Sequence, residues 1–308
     1  LGLAMSAGDV AGSIGTSGSL TFNGGSVLRV DGSTAAALGG AGNLTLNATT
    51  NVILDAFPAA TGAGTIIRLL NYNGTLTGSD ADLSLQNSFN CRNAVLSTST
   101  ANQVNLTIDT KSLIWSGDSA AWDIDTSLNW NSGADTFFWG DAVTFTDAGT
   151  TKDVTLDVSV FTASTTFNNS SGNDYTLTGT GAISGASSLT KSNSGSVTLS
   201  TANTYAGGTT ISGGKIVASV AGALGTGSVT NNATLDLTGG AVTYTGLSTG
   251  LSGNGTVNVT LPTGSSSAVL NGNYSGFTGI WNIGTAALAG DGKVQMNGLD
   301  NASCTVKV

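Results

Sequence analysis

Apolar residues fall on every second position in short runs throughout the chain. Leu20 and Phe22, Leu44 and Leu46, Val154 and Leu156, Val197 and Leu199, and Leu235 and Leu237 all follow this rule. A period of two places these side chains on one face of a strand. The intervening Thr, Ser and Asn then lie on the other face. Runs such as "SLTFNGGSVLRVDG", "DAVTFTDAGTTKDVTLDVS" and "GSVTNNATLDLTGG" are separated by Gly, Asn or Ser breaks. The pattern predicts strands of about three to five residues, each half buried.

The breaks select the architecture. A sandwich or meander would use two-residue Asn-Gly or Asp-Gly hairpin turns with Pro at its edges. Asn73-Gly74 and Asn271-Gly272 keep that option open. The commoner break is a Gly-rich bend of three or more residues, and strand signals recur roughly every 20 residues. This recurrence predicts an all-β chain wound as a right-handed parallel β-helix (β-solenoid) of about 14 turns. Each turn would bury its inward residues against the last, with Gly at the corners.

Composition supports strands over helices. The 308 residues include 45 Gly and 2 Pro; all 18 acidic residues are Asp, and Glu and His are absent. Thr, Ser, Asn and Val stand where helices would carry long charged side chains. Apolar residues make up 39 %, enough to bury a core, which argues against disorder. The net charge of −9, with only nine thinly spread Lys and Arg, argues against a nucleic-acid partner. No apolar stretch has membrane-span length. Leu1 is not an initiator and "LGLAMSAGDV" has no cationic leader region, so a mature or excised piece of a larger protein is expected.

Chemistry is sparse. Without His, neither a Ser-His-Asp nor a Cys-His arrangement exists, and no cofactor or metal site is expected. "GTSGS" and "GGAGNL" lack the strand-to-helix context that a nucleophile elbow or phosphate cradle needs. Asp80 with Asp82, Asp123 with Asp125, and Asp153 with Asp157 are the carboxylate pairs spaced for acid–base work. Alternation would put the first two pairs on one strand face, but no basic cluster accompanies them. They read as solvated loop residues. Cys91 and Cys304 are either two separate thiols or a disulfide, within one chain or between copies. Trp115, Trp122, Trp130 and Trp139 suit either a cap that closes the core or a platform for glycan rings.

One region is specific. "SSLTKSNSGSVTLSTANTYAGGTTISGGKIVAS", followed by "GALGTGSVTNNATLDL", resembles the autotransporter-associated β-strand repeat of bacterial passenger domains. The matching elements are Leu189 to Lys191, Gly195 to Leu199, Asn203 to Ile211, Gly213 to Ile216, Leu224 to Gly227 and Ala233 to Leu237. The Trp-rich block over 113–150, with its "GDAVTF", is similar to the opening of large extracellular proteins that carry this repeat. The stretch before it resembles a closing segment.

That order implies residues 1–112 as the closing solenoid segment of one unit. Residues 113–308 would be the start of the next, with the repeat at 188–237. The resemblance implies an extracellular or bacterial cell-surface, non-enzymatic structural protein. Its partners would be itself, head to tail in a filament, or neighbouring repeats of a longer chain. The alternative is an adhesin for glycans or a host surface, and the outsider is a polysaccharide lyase or hydrolase.

Overall fold

The computed structural model describes residues 19–30, 38–54, 66–87, 89–239, 244–260, 267–284, 293–297 and 305–307. The chain is nearly all β: parallel sheets stack into a β-solenoid of about 10 turns with almost no helix. Two compact units are present, Leu1–Thr110 with Phe138–Gly140, and Lys111–Phe137 with Asp141–Val308.

In the second unit, two eight-stranded sheets run the length of the stack. The first contains Ser112–Ile114, Ala142–Thr146, Ser164–Asn168, Ser188–Ser192, Thr209–Ile211, Val229–Asn231, Leu251–Gly253 and Gly276–Phe277. The second runs from Asp153–Thr155 through Tyr175–Thr178, Ser196–Leu199, Lys215–Ala218, Thr234–Leu237, Thr256–Thr260 and Ile280–Gly284 to Thr305–Lys307. Every pairing in both sheets is parallel.

Each strand pairs with its equivalent one turn later. The turn length ranges from 19 residues (Ser196 to Lys215) to 25 (Ile280 to Thr305), and reaches 30 across the excursion between Ser112 and Ala142. The excursion over 115–141 and the antiparallel strands of the first unit take residues out of the coil, so about 10 turns form where the spacing predicts about 14.

Unbroken register converts alternation into columns. Val154, Leu177, Leu199, Ala218, Leu237 and Val259 form one buried column. Tyr175, Val197, Ile216, Leu235, Val257 and Trp281 form another. Each large apolar side chain so buried contributes about 1.5–3 kcal/mol of transfer free energy. The corners must turn sharply against the turn below. Gly214 does so at φ +63°, where a Cβ would lie 2.0 Å from the carbonyl oxygen of Gly195.

The first unit departs from a uniform coil. Two three-stranded parallel sheets, Leu20–Phe22/Leu44–Leu46/Leu76–Thr77 and Val27–Val30/Thr50–Leu54/Leu83–Leu85, continue the expected pattern. Against expectation, Gln103–Asp109 pairs antiparallel with both Ile66–Tyr72 and Arg92–Ser97. Between Ser97 and Gln103 the chain doubles back through a short connection, which parallel neighbours cannot use. Leu28, Leu44, Val52, Leu69 and Leu106 fill this unit's core.

Candidate functional site

The excursion over 115–141 is the least regular part of the second unit. The strands on either side of it, Ser112–Ile114 and Ala142–Thr146, pair with each other in register. Between them the chain folds over the leading edge of the second sheet. Trp122 N donates to Thr155 O at 2.8 Å, and Thr155 N donates to Ala120 O at 2.8 Å. An edge strand that would otherwise present free backbone groups is therefore covered.

Aromatic rings hold this segment down. Trp115, Trp122 and Trp130 have relative exposures of 0 %, 1 % and 1 %. Trp130 meets Trp115 edge-on at 5.0 Å and Trp122 at 5.6 Å. Phe145 lies beneath all three at 5.4 to 5.7 Å. It also stacks on Phe167, one turn along, at 4.6 Å and 13°. Edge-to-face and offset pairs of this kind add about 0.5–1.5 kcal/mol beyond area burial. Buried indole faces offer no open platform to a sugar ring.

Trp139 lies elsewhere. It belongs to the first unit, where it packs against Phe89 at 6.3 Å and bridges to Cys91. The foursome expected from sequence is thus a trio and one separate residue. The linear order hid this because Phe138–Gly140 is a short return to the first unit within a stretch otherwise belonging to the second.

Two of the carboxylate pairs lie in turns, while Asp153 opens the first strand of the second sheet. Asp80 and Asp82 form a short 3₁₀ turn, and Asp82 accepts the Ser79 N–H at 2.9 Å. Asp123 accepts from Ser127 N (2.9 Å) and Ser127 Oγ (2.6 Å), while Asp125 accepts from Thr136 Oγ1 at 3.2 Å. Neither pair occupies a strand face, contrary to the alternation argument. Asp153 and Asp157 are exposed, with Asp157 accepting from Thr180 N at 3.4 Å. Among the described residues no group of three or more Cys or Asp side chains is arranged to hold a metal ion. No described helix is long and apolar enough to cross a membrane. Beside the tryptophans lies a half-open cleft of about 400 Å³, lined by Ile114, Trp115, Asp118, Asn131, Ser132 and Thr150 among others.

Cys91 is buried, and desolvation pushes its thiol pKa up to about 11. Cys304 lies outside the described residues.

One polar feature escaped the sequence reading. At the corner between the two sheets, inward polar side chains hold backbone carbonyls, the lysines those of their own turn and the asparagines also those of the next. Lys152 Nζ donates to Asp147 O (2.9 Å) and Thr146 O (3.2 Å). Asn169 Nδ2 donates to Asn173 O (2.8 Å) and Ser196 O (2.9 Å). Lys191 Nζ donates to the carbonyls of Ser192 and Asn193, and Asn231 Nδ2 donates to Thr256 O at 2.9 Å. Lys191, Asn169 and Asn231 are completely buried. Burial lowers the Lys191 pKa to about 8, opposed by the charges of Asp174 and Asp147. The clue was present: Lys191 shares the face of Leu189, and Asn231 that of Val229.

Residues 189–218 match the passenger-associated-transport-repeat family. No curated protein and no solved structure gives a significant match. Together with the solenoid around it, the repeat fits an autotransporter passenger-like repeat protein.

Proposed function

We propose that this autotransporter passenger-like solenoid serves as a stalk or fibre segment outside the bacterial cell, extended by tandem repeats or head-to-tail stacking. A surface passenger-type structural domain is supported by the repeat and the fold. What carries the stalk or fibre reading is the continuity of the two eight-stranded sheets in the second unit. Backbone hydrogen bonds run from turn to turn in one direction, so each turn is braced mainly by its neighbours. The 9 % charged content, with nine Lys and Arg among 308 residues, leaves few tryptic sites on such a rod.

A structural role also suits the chemistry. The clustered indoles are buried, and Asp82 and Asp123 cap turns. The adhesin alternative needs an exposed aromatic or acidic groove, and the trio of tryptophans does not supply one.

Negative-stain microscopy of the purified chain over a range of concentrations tests the fibre. Rods that lengthen in multiples of one subunit are expected. Rods of one fixed length at every concentration would sink self-assembly. A glycan array with strong binding would move the reading to adhesion.

A further inference from the structure

Five consecutive strands of the first eight-stranded sheet carry one residue type in a single file on their outer face, preceded in register by the exposed Ile114. Thr144, Thr166, Thr190, Thr210 and Thr230 are direct register partners on consecutive turns, and Ser252 follows them. Ser164 and Ser188 flank this file on one side, and Thr146, Asn168 and Ser192 flank it on the other. No Lys, Arg or Asp points outward from these strands, because Lys191 is turned into the core.

Three physical properties follow. In-register parallel pairing spaces the hydroxyls at one strand separation, about 4.8 Å. Thr is β-branched and stiff at χ1, so methyl and hydroxyl positions repeat along the file. The hydroxyls of Thr144, Thr166, Thr190 and Thr210 make no hydrogen bond among the described residues, while Thr230 pairs with Ser252 at 3.1 Å. Four half-exposed or exposed hydroxyls are thus left for an external partner.

The size of the face bears on which partner. Six strands of at most five residues span about 400 Å². That is about half of the ~800 Å² per partner of a stable protein interface. A second copy of the chain is therefore a poor match. Sugar polymers favour exposed aromatic faces, which this file lacks. A neutral array repeating at a single short spacing fits a solid whose own oxygens repeat at nearly that spacing.

We propose that this threonine file is an ice-binding face that orders water on its hydroxyls and methyls and adsorbs to a hexagonal ice plane. The proposal goes beyond the stalk reading and does not depend on it.

The test is an ice-recrystallisation assay with the purified chain in frozen sucrose solution annealed just below melting. Wild-type protein at micromolar concentration is expected to hold grain size constant, whereas an equal mass of albumin allows coarsening. The pair Thr166→Lys with Thr190→Lys is expected to raise the required concentration at least about tenfold. The pair Thr176→Lys with Thr198→Lys, on the outer face of the other sheet, is expected to leave it unchanged. Circular dichroism confirms folding. Should Thr166→Lys with Thr190→Lys prevent folding, Thr166→Ala with Thr190→Ala replaces that pair with the same expected direction. Coarsening equal to albumin, or ladder variants as active as wild type, overturns the proposal. So does retention on chitin or cellulose without an effect on ice.

Discussion

Lys191 donates a hydrogen bond to the carbonyl oxygen of Asn193, 3.1 Å away, from a position wholly inside the solenoid core. Its neighbours in the same column are Phe167 on one turn and Ile211 on the next. An ammonium group is thus held where an apolar side chain would ordinarily stack, and its reach to the corner carbonyls explains how.

This burial predicts a pH dependence. The folded-state pKa of Lys191, about 8, lies below its ordinary value of 10.5. Between these values the unfolded chain binds more protons than the folded one, so stability rises with pH across that window and is flat below it. Urea unfolding followed by tryptophan fluorescence is expected to show a midpoint that climbs from pH 8 to about 9.5. Lys191→Met is expected to flatten the climb. An unchanged slope in the variant would show that another group is responsible. The series uses a Cys91→Ser background, because the Cys91 thiol, raised to about 11 by burial, ionises on unfolding from about pH 9 and opposes the trend. It stops short of pH 10 because burial raises the Tyr175 and Tyr205 pKa values, with the same effect above that point.

Phe145 is the ring on which the cap rests. Phe145→Ala is expected to lower unfolding free energy by about 3–5 kcal/mol through lost burial and the cavity left behind. Leu128, exposed to 54 % within the same excursion, gives the contrast, since Leu128→Ala should stay within about 0.5 kcal/mol of wild type. Denaturant titration of both variants checks the pair. Equal effects would mean that the aromatic cluster does not anchor the segment.

The corners separate backbone strain from crowding. Gly172 has φ +87° with nothing within 4 Å of an added Cβ, whereas at Gly214 the Cβ meets the Gly195 carbonyl at 2.0 Å. Both Ala substitutions are strained by about 1 kcal/mol or more. Gly214→Ala carries the additional clash and should have the lower melting temperature. The reverse order in a thermal scan would contradict the stacked corner.

Cys91 should be chemically quiet in the native protein. In a Cys304→Ser background, its modification by a thiol reagent at pH 8 is expected to be at least about a hundredfold slower than in urea. Burial and a pKa raised to about 11 both withhold the thiolate. Rapid native labelling would mean that the first unit opens readily around this residue.

The strands, their buried faces and the repeat over 189–218 were readable from residues alone. An alternation of two leaves little freedom in which side chains turn inward, and Gly-rich bends mark the corners. The same alternation carries Lys191 and Asn231 to the inner face, where the local carbonyls of Ser192 and Asn193 satisfy the ammonium group and stacking brings the Thr256 carbonyl within reach of Asn231.

Register between turns is a long-range property, so the face-to-face stack of Phe145 on Phe167 and the single file of threonines emerge only in three dimensions. The same holds for Trp139, which sequence proximity grouped with three tryptophans while packing assigned it to Phe89. Local pattern determined what each strand buries. Tertiary structure decided which residues meet, because the partner of every strand lies a full turn away along the chain.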